Sequence, residues 1–300
     1  MSRRAPALLA LVALAGCGPG STSDSGGAER ARSDRLVDFG QKPPFVNALD
    51  VDPADNHFLL TTNRGFFRID PRSRRVEQVR GTISARGRRA TVGTFLKLLV
   101  TGPGQLLGSG HPDRAGTLPG FLGFIRSQDG GRSWRVIARL GEADLHKIVS
   151  MHGRLYAFDA VLGAMLVSGD GGRTFKEHFT PRGLIIDFVV DPKDPRYLLA
   201  STEDQLYRSE DQGATWRGVV SGRGIRLAWP AHDRLLRADQ DGTVMLSRDR
   251  GQSFERVGEV PGEPYKFKAL DARRLFLALS DGTIMQTRDG GATWTTAFAP

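Results

Sequence analysis

Residues 127–134 read Ser-Gln-Asp-Gly-Gly-Arg-Ser-Trp, and four further copies of this sequence, which we call the repeated turn, follow along the chain. The copies share the pattern Ser/Thr-x-Asp-x-Gly-x-Ser/Thr-aromatic. They begin at Ser127, Ser168, Ser209, Ser247 and Thr287, so successive copies lie 41, 41, 38 and 40 residues apart. A period near 40 residues with one hairpin per repeat is typical of a β-propeller. The spacing therefore predicts an all-β fold of repeated sheets around a central axis.

Each residue type in the repeated turn suits a tight connection between two strands. Short Ser and Asp side chains accept hydrogen bonds from backbone N–H groups inside a turn. Gly adopts the positive φ that other residues resist, and the aromatic residue begins the next strand and packs under the hairpin. We therefore expect a structural role for the acidic residues of the five copies, which are Asp129, Asp170, Asp211, Asp249 and Asp289.

The N-terminal segment is typical of an export signal. An apolar run, residues 5–16, follows Arg3 and Arg4, and Leu14-Ala-Gly-Cys17 matches the bacterial lipobox. The run is shorter than the ~20 residues that a membrane-spanning helix needs, which favours a cleaved signal. Cys17 is the only cysteine of the chain, so we predict that it is lipidated. The alternatives are a buried thiol or a plain secretory signal.

The chain is thereby divided into three parts. Residues 1–16 are the predicted signal peptide. Residues 17–35 comprise the lipidated cysteine and a segment rich in Gly, Ser, Asp and Arg, a composition that predicts a flexible tether. Residues 36–300 are long enough for one packed domain. Lipid anchoring would place that domain on the outer face of the bacterial cytoplasmic membrane.

Strand patterns predict six blades of four strands, and hence a single six-bladed β-propeller. Blade six shows the alternation best, with Leu275, Leu277 and Leu279 on one face of a strand. In blade one the final hairpin has kept Asp70 but lost the Gly and the aromatic residue. We expect blade six to pack against blade one and close the ring, and Leu36–Phe39 is a candidate for an additional strand. The predicted blades are residues 45–79, 95–140, 145–179, 184–220, 225–260 and 265–299.

Candidate functional residues lie in the loops opposite the repeated turns. Blade two carries the only long insertion, and the loops that follow it bring acids, histidines and a tyrosine to the same predicted sector. Such residues could bind a divalent metal, with His111 and His146 as ligands, or pair a general acid with a base. Turn formation and a hydrogen-bonded core histidine are the structural alternatives. The candidate ligand-binding residues are His111, Asp113, Asp144, His146, Tyr156 and Asp159.

The segments Ser109-Gly-His-Pro-Asp113, Asp144-Leu-His146 and Tyr156-Ala-Phe-Asp159, together with the five repeated turns, resemble one family of exported bacterial proteins. These are six-bladed propellers with Asp-box (BNR-type) repeats, often lipoproteins, loosely labelled glycosyl hydrolases or sialidase-like. The resemblance covers roughly residues 45–296. It implies that the Asp boxes, here the repeated turns, lie away from the usual site.

The resemblance also shows departures from the family pattern. The first blade of such proteins usually carries histidines on its first strand and after its second strand. Asn47 and Asn63 occupy those places here, and Thr94 stands where an Asp is expected. A sialidase would in addition need three arginines, a nucleophilic Tyr and an Asp acid. Phe67-Arg-Ile-Asp70 is similar to the Phe-Arg-Ile-Pro of sialidases, but it lies on the third strand of its blade and not on the inner one.

The sequence therefore favours a cell-envelope lipoprotein whose propeller binds a ligand or a protein partner without catalysis. The alternative is a glycoside hydrolase that acts on envelope or extracellular glycans through His111, Asp113, Asp144, His146 and Asp159. Its carboxyl groups would lie ~5 Å apart for retention or ~6.5–9.5 Å apart for inversion. An assembly-factor role is a third hypothesis.

The net charge of the chain indicates which kinds of partner it could attract. It is +9, which suits either anionic lipids and wall polymers or a solvated surface. We predict the membrane, through the anchor, and an envelope glycan or protein as partners. Nucleic acid is not expected, because no motif for its recognition is present.

Overall fold

Six sheets follow one another along the chain in the computed structural model, which describes residues 44–300 except 182, 223 and 224. That range contains 26 strands and no helix, so the predicted all-β, six-bladed propeller is confirmed. It accordingly holds no helix of the length and apolarity needed to cross a membrane. The signal peptide at 1–16, the lipidated Cys17, the tether to residue 35 and the additional strand at Leu36–Phe39 lie outside the described residues.

Five of the blades are four-stranded antiparallel sheets whose strands pair in chain order. Blade one comprises β1 (Val46–Val51), β2 (Phe58–Thr62), β3 (Gly65–Ile69) and β4 (Val76–Val79). Blade three comprises β11 (Leu145–Met151), β12 (Arg154–Asp159), β13 (Ala164–Ser168) and β14 (Lys176–Phe179). Blade four comprises β15 (Asp187–Val190), β16 (Leu198–Ser201), β17 (Gln205–Ser209) and β18 (Arg217–Ser221).

Blades five and six repeat this arrangement and complete the ring. Blade five comprises β19 (Arg226–Ala231), β20 (Arg234–Ala238), β21 (Thr243–Ser247) and β22 (Glu255–Glu259). Blade six comprises β23 (Pro264–Ala269), β24 (Leu275–Leu279), β25 (Ile284–Thr287) and β26 (Thr295–Phe298). In such a meander the second-to-third loops lie at the end where the first strand begins, which we call the upper face. The repeated turns join third to fourth strands and lie on the opposite, lower face.

Blade two differs, because it has six strands in the order β6-β5-β10-β9-β8-β7. They are β5 (Gly81–Ala85), β6 (Arg88–Val92), β7 (Lys97–Gly102), β8 (Gln105–Ser109), β9 (Phe124–Ser127) and β10 (Ser133–Ala138). The β5–β6 hairpin joins the outer edge of the blade, where Thr82 and Ile83 pair in parallel with Ser133 and Trp134. The sequence analysis placed no strand there, because the hairpin carries four consecutive polar or glycine positions, 86–89, and no repeat motif.

Hydrophobic packing between neighbouring blades holds the ring together. Six buried clusters occur in the described residues, and each joins two adjacent blades. At the seam, Phe58 of blade one packs with Ala278 and Phe298 of blade six. The Phe58 and Phe276 rings meet edge to face with centroids 5.1 Å apart. Blade six thus closes the ring on blade one, as predicted.

The repeated turns form closed sets of hydrogen bonds on the lower face. In the second copy, Ser168 Oγ donates to Asp170 Oδ1 at 2.8 Å and accepts from the Gly172 N–H at 2.9 Å. Thr174 donates its N–H and its hydroxyl to the same carboxylate, at 3.0 and 2.6 Å. Gly172 has φ +85°, and a Cβ there would overlap the ring of Phe124 in the preceding blade. The turn therefore also fixes how closely two blades approach.

A buried carboxylate joins two blades on the same face. Asp191 has no exposed surface. His232 Nδ1 lies 2.8 Å from Asp191 Oδ1, and Arg250 Nε lies 2.8 Å from Oδ2. The Arg250 guanidinium stacks 3.7 Å from the Tyr197 ring centroid. These ion-pair and stacking contacts join blade four to blade five.

Candidate functional site

The first strands of all six blades line a central channel that contains a cavity of about 340 Å³. Part of its wall is apolar, with Leu49, Leu99 and Val149 among the lining side chains. Polar residues gather where the strands begin, and these include Asn47, Lys97 and His146. The upper mouth of the channel is therefore the place where ligand chemistry and an open volume coincide.

Three of the six candidate residues meet at this mouth. His146 Nε2 lies 3.0 Å from Asp144 Oδ2, and His111 Nε2 lies 3.5 Å from the same oxygen. His111 reaches this position from the long insertion of blade two, and its Nδ1 donates to the Gly120 carbonyl at 2.8 Å. We call these three residues the mouth triad. Two imidazoles thus share one carboxylate oxygen.

The charge state of the mouth triad follows from its surroundings. Burial of Asp144 opposes ionisation, but the hydrogen bond from His146 and the charges of His146, His111 and Lys97 outweigh it and lower the pKa of Asp144. Asp144 is therefore an anion at neutral pH. Its Oδ1 is buried and has no hydrogen-bond partner in the described residues, so one acceptor at the mouth is unused.

The structure uses two of the other three candidates, Asp113 and Tyr156, in contacts outside the triad. Asp113 accepts hydrogen bonds from the N–H and hydroxyl of Thr94, at 2.8 and 2.7 Å. Tyr156 is fully buried and donates to the Pro195 carbonyl at 3.1 Å. Each of these two side chains stabilises a local contact within the fold.

Asp159 supports the triad from behind. It is fully buried, and its Oδ1 accepts the N–H of Asp144 at 3.1 Å and that of Val161 at 3.0 Å. Burial raises the pKa of Asp159 above its ordinary value, although these backbone hydrogen bonds oppose the shift. Asp159 therefore orients the backbone of Asp144 and has no surface with which to touch a ligand.

Two of the departures from the resembled family lie beside these residues. Asn47 Oδ1 accepts a hydrogen bond from Lys97 Nζ at 2.9 Å inside the channel, and Thr94 binds Asp113. Asn63 instead accepts the backbone N–H of Phe45 at 3.0 Å. In residues 44–300, as far as they are described, no group of three or more His, Cys, Asp or Glu side chains is arranged to hold a metal ion. A metal at His111 and His146 stays a prediction.

The sequence analysis missed a set of cations further inside the channel. They come from four different blades, and each lies at or near the start of the first strand of its blade. We call this group the cation ring; it comprises Lys97, Lys147, Arg226 and Lys266. Asp187 lies among them, with Oδ1 2.6 Å from Lys147 Nζ. The sequence signal that could have indicated these cations was a polar residue near the start of each inner strand. Deeper in the channel, Lys268 and Asp50 form a matched pair at 2.7 Å.

Comparison with known proteins adds the following. No model of a known protein family matches the chain. The chain is similar to the dispase autolysis-inducing protein of Streptomyces mobaraensis, with 33% identity over 93 residues. That match spans 31% of this chain and 24% of the relative, so about three quarters of the relative lies outside the match.

Several solved structures share the architecture. YCF48 from Cyanidioschyzon merolae matches with a TM-score of 0.50 and 14% identity, over 85% of each chain. YCF48 bound to D1 peptide matches with a TM-score of 0.55 and 15% identity, over 87% of this chain and 95% of that one. The extracellular domain of the one-component system BT4673 from B. thetaiotaomicron matches with a TM-score of 0.53 and 10% identity, over 83% of this chain and 39% of that one. At such identities these likenesses show the propeller fold alone.

Proposed function

We propose that this protein is an exported, lipid-anchored propeller that binds a ligand or a protein partner at the upper mouth of its channel and does not catalyse a reaction. The observation that carries the proposal is the mouth triad itself. His111, Asp144 and His146 converge beside an open cavity, and Asp144 Oδ1 is left without a partner. Specific ligand sites commonly combine an apolar cavity with a few convergent polar groups of this kind.

The arrangement of the carboxylates supports binding over glycoside hydrolysis. A hydrolase of that class needs two carboxyl groups that both reach the glycosidic bond. Asp159 is fully buried and Asp144 is largely buried, so Asp113 is the one exposed acid of the three, and one of its oxygens binds Thr94. Asp144 has a lowered pKa, whereas a general acid needs a raised one.

Two comparisons favour a protein as the partner. The sequence relative is named for inducing the autolysis of dispase, and one structural neighbour was solved with a bound peptide. Binding to another protein is therefore part of what we propose for this chain. An anchor at Cys17 would hold the propeller at the cell envelope, where such a partner would be met.

The mouth site is tested by thermal melting of the full-length protein with Zn²⁺, Cu²⁺, Ca²⁺, envelope glycans and extracts of envelope proteins. A ligand present at one hundred times its dissociation constant stabilises the folded state by ~2.7 kcal/mol. We expect at least one ligand to raise the melting temperature, and His111→Ala or His146→Ala to abolish the rise. His178→Ala is the matched control, because His178 lies on the outer strand β14.

Two outcomes would overturn the proposal. One is a ligand-dependent rise that survives both histidine substitutions in the mouth triad, since the site would then lie elsewhere. The other is release of reducing sugar from a glycan by the wild-type protein and its loss in Asp144→Asn, which would establish hydrolysis. Export is tested separately, by palmitate labelling of the wild type and of Cys17→Ser in the native host. Equal labelling of both proteins would refute the lipid anchor.

A further inference from the structure

The cation ring carries more positive charge than its surroundings neutralise. Lys97, Lys147 and Lys266 line the channel cavity. The charges of Arg226 and of the acid Asp187 also act on Lys266. Asp187 is almost fully buried and already used. Its Oδ1 lies 2.6 Å from Lys147 Nζ, and its Oδ2 accepts the Leu227 N–H at 3.0 Å. Asp187 therefore forms an ion pair with one of the four cations, whereas Asp144 attracts Lys97 and Glu263 attracts Arg226 without an ion pair within 4.0 Å.

The three remaining cations have no carboxylate in contact. Lys97, Arg226 and Lys266 make no ion pair within 4.0 Å in the described part of the chain. Lys97 is held by the neutral Asn47 side chain at 2.9 Å. The Arg226 guanidinium lies 5.1 Å from the Tyr265 ring centroid. Like charges gathered in a low-dielectric space repel one another strongly unless an anion lies between them.

Two residues near the starts of their first strands, in β1 and β19, have unused hydrogen-bond donors. Arg226 Nε and Asn47 Nδ2 are buried and have no partner among the described residues. An unsatisfied buried donor is unfavourable, and an acceptor placed between these residues would relieve it. Both are N–H groups, and both therefore require an acceptor.

The repulsion is concentrated at Lys266. Burial, together with the charges of Arg226, Lys147 and Lys97, outweighs the attraction of Asp187 and lowers the pKa of Lys266 to about 7. These four residues are the charged groups that face Lys266 from β7, β11, β15 and β19. An anion placed among them would restore the charged form of Lys266 near neutral pH.

We propose that the cation ring is the binding site of a small oxyanion with two or more negative charges, that is, a phosphate or a polycarboxylate. Lysine ammonium and arginine guanidinium groups are the side chains that bind such oxygens most strongly. The cavity of about 340 Å³ is of the size that holds small organic ligands, which favours pyrophosphate or a tricarboxylate over a single inorganic ion. This inference rests on the proposed binding function and specifies the chemistry of the molecule that enters the channel.

The test is isothermal titration of the full-length protein with inorganic phosphate, pyrophosphate and citrate at constant ionic strength. We expect pyrophosphate or citrate to bind, and Lys266→Met to weaken binding by at least about tenfold. Lys176→Met is the matched control, since it makes the same change on the exposed part of β14 and should leave the affinity unaltered. Preference for pyrophosphate or for citrate decides between the two sources of the oxyanion.

A pH series adds a readout that a merely structural lysine would not change. Binding above pH 7 must return a proton to Lys266, so the titration heat should depend on the ionisation enthalpy of the buffer and the affinity should fall toward about pH 9. Lys97→Gln serves as a second variant, because Lys97 makes no ion pair within 4.0 Å in the described residues and acts on Asp144 only at longer range. It should weaken binding in the same direction as Lys266→Met.

Three results would overturn the inference. They are the absence of binding by all three anions at millimolar concentration, equal affinities in Lys266→Met and Lys176→Met, and binding that Lys97→Gln leaves unchanged. The mouth-site experiment is independent of all three, because it uses other ligands and the variants of His111 and His146. Failure of anion binding with an intact mouth site would remove this inference and leave the proposed function standing.

Discussion

The lower and upper faces of the propeller use polar residues in opposite ways. On the lower face each acid of a repeated turn meets neutral hydroxyl and N–H donors of its own turn, as Asp170 meets Ser168 and Thr174. In the channel, cations of four blades face one another around Asp187, and two buried donors are unpaired. The acids of the repeated turns are thus satisfied within their own turns, whereas Asn47 and Arg226 beside the channel each keep a donor without a partner. This difference distinguishes residues that stabilise the fold from residues that can bind a ligand.

The largest expected effect tests the packing of the lower face. Gly172→Ala introduces a Cβ that overlaps the Phe124 ring at a φ of +85°, and we expect a loss of about 3 kcal/mol in the free energy of unfolding. Gly171→Ala is the control, because its φ is +75° but the nearest atoms would lie 3.9 Å away. It should lose about 1 kcal/mol. Urea denaturation measures both, and equal losses would show that contact with Phe124 contributes nothing.

The next-largest expected effect is a gain in the free energy of unfolding, and it tests the cation ring of the channel. In the absence of any ligand, Lys266→Met removes a buried charge that Arg226, Lys147 and Lys97 repel. We expect it to stabilise the protein by about 2 kcal/mol at pH 7. Because the folded pKa of Lys266 is about 7, the wild type should gain stability as the pH rises above 7, and the variant should not. A variant less stable than the wild type would mean that the cation ring is structurally required.

The smallest expected effect per residue is a loss of stability at acidic pH. Hydrogen bonds from Thr174 hold the pKa of Asp170 well below its ordinary 3.8, and those from Ser253 lower the pKa of Asp249 to about 2. Since the unfolded chain takes up these protons first, the stabilisation is present above about pH 4 and is lost as the pH falls toward 2. Urea midpoints at several pH values measure the loss. Asp249→Asn should show a shallower decline than the wild type, and an unchanged slope would exclude the repeated turn as its cause.

The sequence predicted those features that depend on neighbouring residues. The repeated turn is local, so its spacing predicted the all-β propeller, and the strand patterns around it predicted six blades and the packing of blade six on blade one. The prediction of blade two was incomplete, because β5 and β6 carry no motif and the pairing of β5 with β10 depends on tertiary contact. Residues 81–92 therefore lacked a signal that could be read along the chain.

The candidate site was predicted less completely, for a similar reason. Convergence of His111, Asp144 and His146 follows from loops that share a face, and it could be anticipated. The positions of Asp113 and Tyr156 depend on how the side chains of one loop or strand point, which the chain order does not specify. The cation ring is assembled from residues in four blades, each of which alone is an ordinary polar residue on an inner strand.

The additional hairpin of blade two changes what that blade offers to other strands. Its fourth strand, β10, has β9 on one side and β5 on the other. In the described residues, the fourth strands of the other five blades each have a partner on one side. An unpaired outer strand can recruit a further β-strand from another molecule. Strand addition at the first two residues of β10 is therefore blocked, which favours association of that kind at the remaining sectors of the ring or at β6.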